Sequence, residues 1–168
     1  MGLFDKLRDV AENVTSSVMD NVTSAVMENV ELIAKKTPAL EMPVLPEDPH
    51  LDVVGEEKLL DGIQELMKEL KAPVGAFGAD IAWVSGVLVP EPWNKLNPQN
   101  VAVVVKGTHV GSLSPGDSAV YSQPLIRLMI DKRQLLPIEA SISVRRGGGG
   151  VHATVTVIVP HPARIPAR

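Results

Sequence analysis

The side chains that could do chemistry are few, and their spacing matches no catalytic or metal-binding pattern. The histidines, His50, His109, His152 and His161, show no metal-ligand spacing, and the chain has no cysteine to complete a metal site. The glycine run Gly147–Gly150 is followed by neither a Lys-Ser/Thr pair nor a helix, so a hairpin turn is favoured over a phosphate-binding loop. No nucleophile elbow or dinucleotide fingerprint is present. The sequence predicts a protein that is not an enzyme, with no catalytic residues, cofactor or metal.

Composition and charge divide the chain into two unlike halves. Residues 1–79 carry 7 Lys or Arg against 15 Asp or Glu, whereas residues 80–168 carry 9 against 5. An anionic partner would therefore suit the second half, although ordinary surface charge also accounts for the difference. Aromatic residues make up only 3% of the chain, so the core must be built mainly from Val, Leu, Ile and Ala. No apolar run reaches about 18 residues and no secretory signal is visible, so we expect a cytoplasmic protein.

The first segment, residues 1–36, has the periodicity of one long amphipathic helix. Its apolar residues recur in steps of three and four, which places them on one stripe. Lys35 and Lys36 complement the helix dipole in the last turn, and Pro38 ends the helix. The part of the stripe that we expect to form an interface comprises Leu3, Phe4, Leu7, Val10, Val14, Val18, Val22 and Val26.

Three kinds of partner fit this stripe. It can associate with a second copy or another protein, pack on the chain's own β-rich half, or lie on a membrane surface. The opening GLFDKLRDVAENV is similar to short membrane-active peptides that begin Gly-Leu-Phe-Asp. The membrane fits least well, because beyond Arg8 the polar face carries Asn, Ser, Thr and acids until Lys35.

Two shorter segments connect this helix to the β-rich half. Residues 37–55 contain four prolines and read as an extended, proline-rich linker. Residues 56–72 have the pattern of a second helix, with acids in the first turn and lysines in the last. Its apolar face comprises Leu59, Leu60, Ile63, Leu66, Met67 and Leu70.

Residues 80–160 read as a β-rich domain with a helical insertion. Strands flank the tight turn Lys106-Gly107, and two alternating strands flank the glycine run. Between them Ser114 has the position of a helix cap, and Pro124 is expected to split the helix into two pieces. Residues 161–168 are expected to form an exposed tail.

The string that begins at Asn100, NVAVVVKGTHVGSLSPGDSAVYSQPL, resembles the HIRAN-type domain. That family occurs in some helicases of the chromatin-remodelling type and as a stand-alone unit in bacteria and phages. The resemblance implies a small OB-like β-barrel with inserted short helices that binds single-stranded DNA ends. Asn100, Gly111 and Leu113 carry it. Where the family has an aromatic and an acidic residue before the Asn, this chain has Asn97, Pro98 and Gln99.

The expected fold is therefore α+β: a long N-terminal amphipathic helix, a second short helix and a small β-barrel-like domain. The leading hypothesis is a non-enzymatic binding module that contacts nucleic acid, with single-stranded DNA as its partner. Besides Asn100, its predicted site comprises Lys106, Lys132, Arg133, Arg145 and Arg146 for phosphates, with Trp93 and Tyr121 for stacking. Trp83 is the third available aromatic. The alternative is an adaptor protein whose N-terminal helix mediates self-association, partner docking or membrane attachment while the barrel binds a protein.

Overall fold

The computed structural model describes residues 30–72, 74–75, 78–147 and 150–166. The helices in these ranges are α1 (Val30–Lys36), α2 (Leu60–Glu69) and α3 (Pro115–Asp131), with 3₁₀ turns at Glu56–Lys58 and Pro162–Arg164. The strands are β1 (His50–Val54), β2 (Val74–Gly75), β3 (Gly78–Pro90), β4 (Val101–Val105), β5 (Thr108–Leu113), β6 (Leu136–Gly147) and β7 (Gly150–Ile158). Of the helix expected over residues 1–36, α1 is the part that falls within these ranges.

Six strands close into an antiparallel β-barrel in the order β3-β4-β5-β1-β7-β6, because β6 pairs back onto β3. The short strand β2 extends the sheet by pairing with the start of β3. Along β6 the predicted alternation is observed: Ile138, Ala140 and Ile142 are buried, and the residues between them are partly exposed. The α+β class with a small β-barrel is therefore confirmed.

Strand β1 corrects the boundary of the predicted linker. His50–Val54 is a barrel strand that pairs with β5 through Val53 and Leu113 and with β7 through Leu51 and Val157. Its side chains alternate, since Val53 is buried and its two neighbours are exposed. The preceding residues are also fastened to the barrel, with the amide of Leu40 donating to the carbonyl of Leu135 at 2.8 Å. The spacer is thus shorter than predicted and follows the barrel surface.

Strand β4 is buried on both faces, as its continuous apolar sequence indicates. Its odd-numbered residues face the main core inside the barrel. Ala102 and Val104 face outwards, into a second cluster that includes Val30 and Ile33 of α1. The last two turns of the predicted N-terminal helix therefore pack on the chain's own barrel.

Helix α3 is continuous, which corrects the expectation that Pro124 splits it. The cost of the missing hydrogen bond at Pro124 is offset by packing on both sides of it, since Tyr121, Leu125 and Leu128 all belong to the main core. The predicted cap is confirmed, because the amide of Asp117 donates to Ser114 Oγ at 3.3 Å.

The C-terminal segment is also packed, at least through the described residues to 166. Ile165 is buried in the main core, and the Arg164 guanidinium donates to Asp48 and to the carbonyl of Pro43, the latter at 2.8 Å. Burial alone would raise the pKa of Asp48, but hydrogen bonds from Arg164, Leu45 and His161 outweigh it and lower the pKa. Within the described residues 161–166, the expected tail is therefore attached to the domain through Arg164 and Ile165, although His161 and Ala163 are exposed.

Candidate binding surface

The predicted phosphate-binding residues do not lie together. Lys132 and Arg133 precede β6, whereas Arg145 and Arg146 lie near its other end. At about 3.3 Å per residue, the strand alone separates the two pairs by about 30 Å. Lys106 lies elsewhere, in the β4–β5 turn, where positive φ angles of 50° at Lys106 and 83° at Gly107 form the predicted tight hairpin. These cations therefore form no single strip for a nucleic-acid backbone.

The two aromatic residues chosen as stacking platforms are core residues, which corrects that prediction. Trp93 is 0% exposed in the cluster beneath α1, and Tyr121 is 2% exposed in the main core. The Tyr121 hydroxyl donates to the carbonyl of Pro160 at 3.1 Å, and burial raises the pKa of Tyr121 to about 12. Neither ring can stack on a base.

Asn100 has a structural role. Its side-chain amide donates to the Glu91 carboxylate and to Ser112 Oγ, the latter at 3.1 Å, so it fastens the loop after β3 to β5. Burial raises the pKa of Glu91, and the hydrogen bond from Asn100 only partly offsets this. Gly111 is equally structural, since an added Cβ would lie 2.3 Å from Val53 Cγ1.

Among the tryptophan and tyrosine residues that the structure describes, the exposed one is Trp83. The residue is 46% exposed, and its backbone φ is +54°, a left-handed conformation that bulky residues seldom adopt. It lies at an irregularity between Ile81 and Val84, where β3 places two residues opposite Ser141 of β6. This is a β-bulge, a device that redirects a side chain.

His50 packs against Trp83. The two ring centroids are 5.8 Å apart, and the planes meet at 79°, an edge-to-face arrangement. His50 Nε2 lies 3.2 Å from the carbonyl oxygen of Pro46, which can only accept, so this nitrogen carries the proton in that bond. His50 belongs to β1 and Trp83 to β3, and β7 and β6 lie between these two strands in the barrel. The contact between the two rings therefore extends over the outer side of β6 and β7.

The surroundings of this ring pair are polar and mainly acidic. Asp80 accepts hydrogen bonds from Ser143 and from Arg145, whose Nη2 lies 2.6 Å from Asp80 Oδ1, and these lower the pKa of Asp80. Two more carboxylates, Glu139 of β6 and Asp52 of β1, lie on the outer side of the barrel in this region. We call this surface the Trp83 face; it comprises Trp83, His50, Asp52, Asp80, Ser85, Glu139, Ser141, Ser143, Arg145 and Thr156.

The Trp83 face combines an aromatic ring with polar and charged groups. It offers one half-exposed indole, several hydroxyl groups and three carboxylates against one guanidinium. Among the residues that the structure describes, no three His, Asp or Glu side chains converge as metal ligands, and no helix is long and apolar enough to cross a membrane. The interface residues predicted between Leu3 and Val26 lie outside the described part of the chain.

No protein-family model, curated protein or solved structure matches the chain. The HIRAN-type resemblance therefore stays a prediction.

Proposed function

We propose that this protein is a non-enzymatic protein-binding module, in which the Trp83 face receives a basic segment of a partner protein. The observation that carries the proposal is the conformation of Trp83, a half-exposed indole at positive φ on a β-bulge. Backbone strain of this kind persists where the surrounding structure enforces it, and it concentrates at functional sites.

The chemistry of the surface suits a cationic partner. Tryptophan is enriched among the residues that dominate binding energy at protein interfaces. Its ring face also attracts Lys and Arg side chains. Asp52, Asp80 and Glu139 surround it, and Arg145 is already paired with Asp80. A polyanion would meet net negative charge here, whereas an Arg-rich segment would find an aromatic ring and two carboxylates, Asp52 and Glu139, that form no ion pair within the described residues.

The N-terminal segment completes the adaptor hypothesis. Val30 and Ile33 pack α1 against the barrel. A partner bound by residues 1–29 would therefore be held on the same molecule as the Trp83 face. In this proposal, the stripe from Leu3 to Val26 associates with a second copy or another protein. Removing residues 1–29 leaves Val30 and Ile33 in place. If the stripe self-associates, light scattering should show fewer chains per particle for this truncation than for the full chain.

Fluorescence anisotropy with a labelled Arg-rich peptide tests the proposal directly. We expect binding by the full chain, loss of most of it in Trp83→Ala, and weaker binding in Asp52→Asn. Leu96→Ala is the matched control, because Leu96 is 95% exposed but lies on the β3–β4 loop, outside the Trp83 face. Binding that survives Trp83→Ala, or that prefers a Glu-rich peptide, would refute the proposal.

The second candidate function is single-stranded DNA binding, which the HIRAN-type resemblance implies. The observation that favours it is an antiparallel barrel, compatible with an OB-like fold, that carries an exposed aromatic ring on its outer surface. In a filter assay at about 50 mM salt, this candidate requires oligonucleotide binding that falls steeply with added salt and is lost in Trp83→Ala. An oligonucleotide that binds where the Arg-rich peptide does not would establish this candidate over the first.

A further inference from the structure

A groove lies between α2 and the barrel, on the core side of β6 and therefore away from the Trp83 face. Its volume is about 650 Å³. The floor is apolar and consists of Met67, Ala72, Ala79 and Val144. These residues retain 5–9% of their surface exposed, whereas most of the main core retains 0–2%. The floor residues are thus buried, but each retains a small exposed surface along this groove.

The rim of the groove carries an excess of positive charge. Lys68 forms an ion pair with Glu65 at 3.5 Å, and both are rim residues. Lys71 and Arg146 also line the groove, and neither forms an ion pair within the described part of the chain. Asp61 is the remaining rim carboxylate. Among the described lining residues, the rim therefore has one uncompensated positive charge.

The backbone conformation positions Lys71 and Arg146 at the groove. Lys71 has φ +53° and follows the end of α2, where the amide of Ala72 donates to the carbonyl of Met67 at 3.0 Å, a typical helix-terminating turn. Arg146 is placed by its pairing with Val151 of β7, and strand alternation turns it to the side opposite Arg145.

We propose that this groove binds a small amphiphilic carboxylate, with its apolar body on the floor and its anionic group at Lys71 and Arg146. The volume is that of a small-molecule site, which is typically apolar with a few polar groups that orient the ligand. The single negative charge of a carboxylate would neutralise the excess positive charge of the rim.

Titration of the full chain with octanoate, followed by NMR, tests this site, with octanol as the neutral analogue of matched length. We expect octanoate to shift the amide signals of Ala72 and Ala79 and to bind about tenfold more tightly than octanol. Arg146→Gln and Lys71→Gly should each weaken octanoate binding by about tenfold. Glycine suits the positive φ of Lys71, so that variant should stay folded, and a thermal melt checks this.

Lys132→Gln is the control, because this exposed cation follows α3 and does not line the groove. Equal affinities for octanoate and octanol, or equal losses in Lys132→Gln and Arg146→Gln, would overturn the proposal. So would binding to phosphatidylglycerol vesicles without binding to free octanoate, since the source of the anion would then be a membrane. Trp83→Ala should leave octanoate binding unchanged, which separates this site from the proposed protein-binding surface.

Discussion

The conformation of Trp83 predicts that glycine is a more stable replacement than alanine at this position, the reverse of the usual order in a strand. In an ordinary strand, Ala is more stable than Gly by about 0.5–1 kcal/mol, because Gly loses more backbone entropy on folding. At a φ of +54° the order should reverse, since a side chain in the left-handed region costs about 1–2 kcal/mol that glycine avoids. We therefore expect Trp83→Gly to be more stable than Trp83→Ala by about 1 kcal/mol.

The magnitudes also indicate why tryptophan occupies this position. With 46% of the residue exposed, Trp83 buries about 100 Å² of surface, which is worth at most about 2.5 kcal/mol. Strain of about 1–2 kcal/mol removes most of that gain. Apart from its contact with His50, Trp83 thus contributes little net stability, which agrees with the proposed role in binding.

Urea denaturation followed by circular dichroism measures both differences on the full chain. Thr154 provides the matched comparison, because it is an exposed residue of β7 with a negative φ. There, Thr154→Ala should be more stable than Thr154→Gly by about 0.5–1 kcal/mol. If the glycine variant is less stable than the alanine variant at both positions, the backbone of Trp83 is not strained.

Three further predictions concern the core and its titratable groups. Gly111→Ala should destabilise the fold by about 2–3 kcal/mol in urea unfolding because its Cβ would overlap Val53, whereas Gly116→Ala, with open space around it in a helix, should be neutral or stabilising. The raised pKa of Glu91 means that the folded state holds its proton longer, so stability should fall as the pH rises above about 4.5, and Glu91→Gln should remove that decline in a pH series of melts. Burial lowers the pKa of His109, so stability should fall as the pH drops below about 6.5, and His109→Gln should flatten this dependence.

Features that depend on neighbouring residues could be predicted from the sequence. Three such features are confirmed, and each depends on a few consecutive residues: the β4–β5 turn, the cap at Ser114 and the alternation of β6. Strand β1 could not be recognised in the same way. It has five residues, follows closely spaced prolines, and pairs with β5 and β7, whose residues lie far away in the chain. Its pattern therefore resembles that of the linker before it.

The site was harder to predict than the fold, because surface exposure depends on register. Trp83, Trp93 and Tyr121 are equivalent in sequence terms, and an aromatic-poor chain gives no local reason to choose among them. The bulge that exposes Trp83 exists only once β3 and β6 are paired, since it is a mismatch between two strands. Burial of Trp93 likewise requires α1, which lies far from it in sequence.

The adjacent residues Arg145 and Arg146, at the end of β6, lie on two different surfaces of the barrel. Adjacent arginines in a basic half suggest a single phosphate clamp, yet consecutive strand residues face opposite sides. Arg145 therefore joins Asp80 on the Trp83 face, while Arg146 lines the groove beside α2. One charge is already neutralised within the fold, and the other is unpaired among the described residues. The two surfaces consequently differ in sign, which is why we assign a cationic partner to one and a small anion to the other.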